Sequence, residues 1–282
     1  MTFNYAEYLR NDKMPHIWCP GCGNGVVTKS LIRAIDTVGY KKDETVVVSG
    51  IGCSGRISGY LDFNTLHTTH GRPLTFATGI KLANPKLNVI VVSGDGDSTA
   101  IGGNHFIHAC RRNIDMTLVI FNNYIYGMTG GQHSPTTPTG SYSTTTAYRN
   151  VDPPFDISKL AIGAGATFVA RESTYNIFSL DKLLVEAFKH KGFSVVEVIV
   201  GCPVYYGRKN GFKSAFSLLE WQRRSAVRAD RAQSMKPEEL EGKFTTGILH
   251  RREAPEYIER YYALIESFDR SVEKLNMESS NG

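Results

Sequence analysis

The sequence predicts an α/β fold: a mostly parallel sheet with helices on both faces, and a helical extension at the C-terminus. Three observations lead there. Apolar, β-branched runs at 45–49, 89–93, 117–121 and 194–200 have no polar face, as strands buried on both sides require. They alternate with segments of helical periodicity at 25–38, 98–112 and 176–190, the strand–helix–strand order of a parallel sheet. Three of the four runs lead into glycine-bearing turns, Gly50-Ile51-Gly52, Gly94-Asp95-Gly96 and Gly201-Cys202-Pro203. Sharp turns of this kind let backbone approach a ligand closely.

Residues 1–18 carry scattered aromatics and Pro15 and read as an irregular arm lying on the domain or on a partner. The helix at 25–38 buries Val26, Val27, Leu31, Ile35 and Val38. The strand at 45–49 follows, then a loop over 65–78 and a short helix at 79–83 that Pro85 limits. The strand at 89–93, the helix at 98–112 (Ile101, Phe106, Ile107 and Cys110 at helical spacing) and the strand at 117–121 form one βαβ unit. Residues 133–146, poor in apolar side chains and holding two prolines, read as a long functional loop. A helix at 156–163, a strand at 167–170, a helix at 176–190 and the strand at 194–200 complete an α/β domain over 1–206. Residues 207–282 form an extension packing on that domain or on a partner. It holds a basic segment at 208–231 with a helix from 215 to about 230, an undefined stretch at 238–248 and a helix at 255–275. Tyr257, Ile258, Tyr261, Leu264, Ile265 and Phe268 share one side of that last helix, and 277–282 read as disordered.

The βαβ unit places Asp95 and Asn123 at the carboxyl ends of two neighbouring parallel strands, the edge where open α/β sheets bind ligands. A carboxylate and an amide oxygen there suit Mg²⁺, which takes oxygen ligands and often shares them with phosphates. The glycines of Tyr126-Gly127-Met128-Thr129-Gly130-Gly131 offer backbone N–H groups to a diphosphate.

Four of the five cysteines, Cys19, Cys22, Cys53 and Cys202, sit at glycine- or proline-rich turns, and Cys19 and Cys22 form a Cys-x-x-Cys pair. Four thiolates suit zinc or an iron–sulfur cluster, and spacing leaves both open. Cys110 lies within a helical apolar pattern and reads as packing.

Composition narrows the class further. Charged residues at 21% and hydrophobic ones at 41% describe an ordinary globular chain, and no apolar run approaches the ~20 residues of a membrane helix. The N-terminus lacks the basic and apolar regions of a signal peptide, so a cytoplasmic location is expected. A net charge of +5 fits an anionic cofactor or an acidic partner, and no nucleic-acid module is visible.

Gly94-Asp95-Gly96 followed one crossover later by Asn122-Asn123 resembles the thiamine diphosphate motif. With Trp18-Cys19-Pro20-Gly21-Cys22-Gly23, Gly50-Ile51-Gly52-Cys53-Ser54 and Gly201-Cys202-Pro203, the pattern is similar to the β subunits of the 2-oxoacid:ferredoxin oxidoreductases, most of all those acting on 2-oxoglutarate. The resemblance spans residue 15 to about 206 and implies the diphosphate-binding domain of a thiamine enzyme. It implies Mg²⁺ on Asp95, Asn123 and the carbonyl of Ile125, and a four-iron, four-sulfur cluster on Cys19, Cys22, Cys53 and Cys202. Gly52, Cys53, Ser54, His70, Gly94, Gly96, Asp97, Gly127, Met128 and Thr129 would line the cofactor, with Met128 and Thr129 at its reactive ring. Arg56 would meet a substrate carboxylate, at a position where the family commonly has Lys.

The activity implied is oxidative decarboxylation of a 2-oxoacid with coenzyme A, electrons passing through the cluster to ferredoxin. The chain holds the diphosphate half alone. An α subunit would supply the pyrimidine half and its activating Glu, in an αβ hetero-oligomer, as a dimer of heterodimers. Related enzymes act on pyruvate and branched-chain 2-oxoacids. The rival readings are a zinc-stabilised α/β scaffold and a non-redox thiamine decarboxylase subunit. The basic segment at 208–231 is a solvated face or, in the sharper reading, a dock for ferredoxin or the α subunit.

Overall fold

The computed structural model describes residues 3–280. Two short 3-10 turns, Tyr5–Tyr8 and Asn11–Lys13, form the N-terminal arm. Then come α1 (Asn24–Val38), β1 (Thr45–Ser49), α2 (Ile57–Tyr60), β2 (Asn64–His67), α3 (Pro73–Ala83), β3 (Asn88–Gly94), α4 (Gly103–Arg112) and β4 (Met116–Asn122). A small hairpin, β5 (Ile125–Tyr126) and β6 (Gln132–His133), leads into a long irregular segment. The chain continues through α5 (Ile157–Gly163), β7 (Phe168–Ser173), α6 (Ile177–Lys189), β8 (Phe193–Ile199) and α7 (Ala215–Ser225). It ends with β9 (Ala226–Arg228), α8 (Ala229–Ala232), β10 (Phe244–Arg251) and α9 (Tyr257–Ser280).

Eight strands form one sheet in the order β2-β1-β3-β4-β8-β7-β10-β9. The six from β2 to β7 are parallel; β10 adds antiparallel to β7, and β9 lies parallel to β10. Both faces are apolar, as the unbroken β-branched runs require. Val47, Ile90, Val92, Val119 and Val196 pack under α1 and α6, with Leu31, Ile35, Leu180 and Leu184. Val46, Val48, Val89, Val91, Leu118 and Val195 pack under α3, α4 and α5 on the other face. Each such side chain, fully buried, stabilises the fold by roughly 1.5–3 kcal/mol. Cys110 belongs to the second core, which accounts for it as packing. The arm lies on the first: Tyr8 donates to Asp36, and the Arg10 guanidinium to the carbonyls of Ser58 and Phe63.

Several boundaries differ from the sequence expectation. The loop expected over 65–78 contains β2, and α3 starts at Pro73, six residues before the expected Gly79. Pro73 fills the first turn of α3, where its missing N–H costs nothing. The helix expected over 98–112 opens with a π turn at Asp97–Ile101. The helix expected to run to 230 stops at Ser225 and passes into β9. The undefined stretch leads into β10, which lies between β7 and β9 and whose register with β7 shifts between Ile248 and His250. Helix α9 continues to Ser280, against the disorder expected from 277; residues 281 and 282 lie outside the described residues. Of its expected apolar side, Ile258 is buried, whereas Tyr261, Leu264, Ile265 and Phe268 are exposed.

Candidate active site at the carboxyl edge of the sheet

The chain leaves β1 toward β2 on one side and crosses back over it to β3 on the other, so the turns after β1 and β3 diverge. Crevices of this kind at the carboxyl ends of parallel strands bind ligands. Here a cavity of about 220 Å³ opens, lined by Ile51, Gly52, Cys53 and Ser54 after β1 and by Gly94, Asp95, Gly96 and Asp97 at the end of β3. Asn123, Ile125, Tyr126, Gly127, Met128 and Thr129 after β4 close it, with His70 and Asn24. All the expected cofactor and Mg²⁺ residues meet in this one cavity. Arg56, expected at the substrate, is exposed on the turn after Ser54 and does not line it.

Asp95 is buried, and its Oδ2 accepts 2.6 Å hydrogen bonds from both Ser134 and Thr136. Burial pushes its carboxyl up to about 6, against the opposing pull of those two hydroxyls. A buried carboxylate at the mouth of a turn rich in backbone N–H groups fits a divalent cation, which would compensate its charge. Gly96 is needed for close approach: a Cβ there would fall 2.3 Å from the Tyr126 ring, whose hydroxyl donates to the Gly96 carbonyl.

The two asparagines have different work. Oδ1 of Asn122 accepts from the Tyr124 N–H and Oδ1 of Asn123 from the Ile125 N–H, so both side chains fold back on their own turn. They hold Tyr124 at φ 64, a left-handed conformation that non-glycine residues seldom adopt. Asn123 faces the cavity, whereas Asn122 points into the protein, donating to Glu197 (2.8 Å), with its Oδ1 3.0 Å from the Thr136 hydroxyl. Glu197 also accepts from Ser158 and from the buried Arg171, which ion-pairs with Asp156 as well. A continuous polar chain therefore runs Arg171–Glu197–Asn122–Thr136–Asp95 and ends on the carboxylate.

Asp97 knits the turns together. Its Oδ1 accepts from His70 Nδ1 (2.6 Å) and from the N–H groups of Gly71 (2.7 Å) and Ile51 (3.3 Å), and its Oδ2 accepts from Ser93 (2.5 Å). Its oxygens are thus engaged with protein donors, and it shapes the cavity through the loops it ties. His70 is held by Nδ1, which fixes the ring against the Tyr126 edge in the cavity wall. Thr129 donates to Gln132 Oε1 at 2.6 Å.

A second cavity, about 230 Å³, is lined by Cys19, Cys22, Cys53 and Cys202 together, with Trp18, Pro203, Val204 and Tyr205. Trp18 Nε1 donates to the Cys53 carbonyl at 2.6 Å, fastening the Cys-x-x-Cys loop to the turn after β1. The sulfurs of Cys53 and Cys202 each lie 3.6 Å from the position a Cβ on Gly127 would occupy. Among the described residues no three His, Cys, Asp or Glu side chains gather around one ion. Four thiols ringing a cavity fit a multi-atom cluster better than a zinc ion, which draws its sulfurs to ~2.3 Å. Burial, then the neighbouring thiols, pushes Cys53 up to about 11, and burial also raises Cys22 and Cys202. The two cavities share Asn24, Cys53, Asn123, Gly127 and Met128.

Sequence reasoning did not find Ser134, Thr136, Arg171 or Glu197. The run of hydroxyls at 134–137 was the available signal for the first two. The lone charge of Glu197 within the apolar run of β8 was the available signal for the buried ion pair.

Residues 50–198 match the family model described as thiamine pyrophosphate enzyme, C-terminal TPP binding domain. The chain is 62% identical over 205 residues to the 2-oxoglutarate synthase subunit KorB of Archaeoglobus fulgidus, covering 73% of this chain and 76% of the relative. It is 48% identical over 262 residues to the subunit of that name in Methanothermobacter marburgensis, covering 93% and 92%. Among solved structures, the 2-oxoglutarate:ferredoxin oxidoreductase from Magnetococcus marinus, with 2-oxoglutarate, coenzyme A and succinyl-CoA bound, matches with a TM-score of 0.83. Its identity is 31%, over 95% of this chain and 91% of that one.

Proposed function

This chain belongs to the β subunits of the thiamine diphosphate-dependent 2-oxoacid:ferredoxin oxidoreductases, and we propose that its substrate is 2-oxoglutarate. It works with an α subunit to convert 2-oxoglutarate and coenzyme A to succinyl-CoA and CO₂. Cys19, Cys22, Cys53 and Cys202 would hold a four-iron, four-sulfur cluster, which when bound would supply the one-electron path to ferredoxin. The observation that supports this most is the sharing of five residues by the two cavities, which sets the diphosphate pocket against the ring of thiols.

Thiamine diphosphate, when bound, supplies the electron sink for decarboxylation. The protein's part is to hold and orient it. Asp95, Asn123 and the Ile125 carbonyl hold Mg²⁺. Backbone N–H groups near Gly94, Gly96 and Gly127 take the diphosphate, and Gly52, Ser54, His70 and Asp97 wall the pocket. Met128 and Thr129, in the cavity wall, would lie at the reactive ring of the bound cofactor. Arg56, outside the cavity, meets a substrate carboxylate arriving from the partner side. Residues 207–282 serve as the extension that packs on this domain and on the α subunit, and the assembly is a dimer of αβ pairs in the cytoplasm. No helix among the described residues is long and apolar enough to cross a membrane.

The test is anaerobic co-purification with the α subunit and electron paramagnetic resonance before and after 2-oxoglutarate and coenzyme A are added. A cluster signal that changes with 2-oxoglutarate and not with pyruvate or branched-chain 2-oxoacids is expected. A colourless, zinc-containing complex sinks the electron-transfer role, and a response to pyruvate alone sinks the substrate.

A further inference from the structure

The four thiols differ in access to solvent. Cys19 is exposed, Cys22 and Cys53 are half-buried, and Cys202 is buried. Two stretches of chain form the surface around Cys19. The loop carrying it abuts the start of α7, so closely that a Cβ on Gly21 would fall 2.3 Å from that of Ala215. Ile17 and Phe216, on the two stretches, are 66% and 70% exposed.

Neither stretch carries an acid: there is no Asp or Glu in residues 13–35 or in 198–219. Their cations are Lys13, Lys29, Arg33, Arg208, Lys209 and Lys213. Lys13 pairs with Asp12, Arg33 with Asp181, and Lys29 sits over the Tyr5 ring. Arg208, Lys209 and Lys213 are exposed and have no acidic partner among the described residues. The basic run further along differs, because Arg223 and Arg224 both reach Glu220, and Arg228 pairs with Asp230. Residues 208–213 thus hold three cations and no acid, whereas along 220–231 four cations, Arg223, Arg224, Arg228 and Arg231, are set against two acids, Glu220 and Asp230.

We propose that this face, apolar at Ile17 and Phe216 and cationic at Arg208 and Lys213, is the dock for an acidic ferredoxin, with Cys19 the thiol nearest the carrier. This rests on the reaction proposed above. One 2-oxoacid and one coenzyme A yield acyl-CoA, CO₂, one proton and two electrons. A one-electron ferredoxin must therefore bind, be reduced and leave twice per turnover. Such a carrier needs a small face, fast association and fast release, which complementary charge around a modest apolar centre provides.

The test uses the cluster-loaded αβ complex with 2-oxoglutarate and coenzyme A, and reads reduction of an acidic ferredoxin and of methyl viologen side by side. For the R208E/K213E double variant, KM for ferredoxin is expected to rise about tenfold at low salt, with the viologen rate within about twofold of the unaltered complex. The gap should close near ~0.5 M salt, where the Debye length falls to a few ångströms. R223E/R224E should raise the ferredoxin KM less than R208E/K213E does, since Glu220 already engages both of those cations. Phe216→Ser should weaken ferredoxin binding at both salt concentrations.

An unchanged ferredoxin KM in R208E/K213E overturns the assignment. So does an equal loss with both acceptors, or loss of the α subunit on purification, which would make this face the subunit interface. If the unaltered complex reduces neither acceptor, the reaction itself falls, and the docking face with it.

Discussion

Asp95 is in tension with its surroundings. Its pKa rises from 3.8 to about 6 because burial penalises the ionised carboxyl more than Ser134 and Thr136 relieve it. A carboxyl raised in this way gives the folded chain its full contribution below the unfolded pKa, and that contribution is lost as pH rises through about 6. At pH 7.5 the cofactor-free chain therefore carries a penalty of up to roughly 3 kcal/mol at this site. Asp95→Asn should raise the Tm of the cofactor-free chain at pH 7.5, leave it nearly unchanged at pH 4, and abolish Mg²⁺-dependent thiamine diphosphate binding. A lower Tm at pH 7.5 would mean that the carboxylate is satisfied by the protein alone. Gly127 gives a second residue-level expectation. A Cβ there would make ordinary contacts, 3.6 Å, with the sulfurs of Cys53 and Cys202, so Gly127→Ala should fold. It should nevertheless lose most of its iron and visible absorbance after anaerobic reconstitution, because the methyl fills the space between two ligands. Full iron content in that variant would place the cluster elsewhere. Asp95, Asn123 and the four cysteines were legible because each sits beside a strand end or a glycine-rich turn in sequence. Ser134 and Thr136 were not, because they lie 39 and 41 residues from the carboxylate they hold.

At the scale of elements, the parallel strands were legible because both faces are apolar and their residues are β-branched. The strands that were missed are polar or broken. Strand β2 is Asn64–His67 at the sheet edge, and β10 carries Gly247 at φ 103 beside a register shift. Only pairing with β1 and β7 gives these segments their conformation, so no local pattern announces them. The loop after β6 behaves similarly. Its composition marked it as functional; in the structure residues 134–137 brace Asp95 and Tyr124 through hydroxyls. Thr136 links the buried Arg171–Glu197–Asn122 chain to Asp95, so the loop and the sheet interior fix the carboxylate together. Thr136→Val keeps the shape and removes the hydroxyl that donates to Asp95 and lies beside Asn122. A loss of ~1–3 kcal/mol in Mg²⁺–thiamine diphosphate affinity is expected by calorimetry, about 5- to 150-fold, with far-UV circular dichroism unchanged. Thr136→Ser should restore most of it, and unchanged affinity in the Val variant would show that Ser134 alone suffices.

At the scale of the whole molecule, the site is open on one side. The loop that braces Asp95 leaves Tyr148 and Val151 at 99% and 83% exposure, with Phe155 exposed beside them and Ile101 and Phe76 exposed on neighbouring elements. Monomeric proteins seldom leave such a group of large apolar side chains uncovered beside a ligand site. The one sheet supplies residues for a diphosphate and a cluster, and no second α/β domain is present among the described residues to face the aminopyrimidine. On the proposed function, binding energy for the cofactor would be divided between this chain and the α subunit. The isolated chain should bind Mg²⁺–thiamine diphosphate at least about tenfold more weakly than the αβ complex, a difference of ~1.4 kcal/mol or more, and should not turn over. Adding the α subunit should restore affinity and activity together. The charge-introducing substitutions Val151→Asp and Phe155→Asp should prevent that recovery without lowering the Tm of the isolated chain, because both side chains already face solvent. Equal affinity with and without the α subunit would show that the sheet edge alone forms the complete cofactor site, and the exposed loop would then need another explanation.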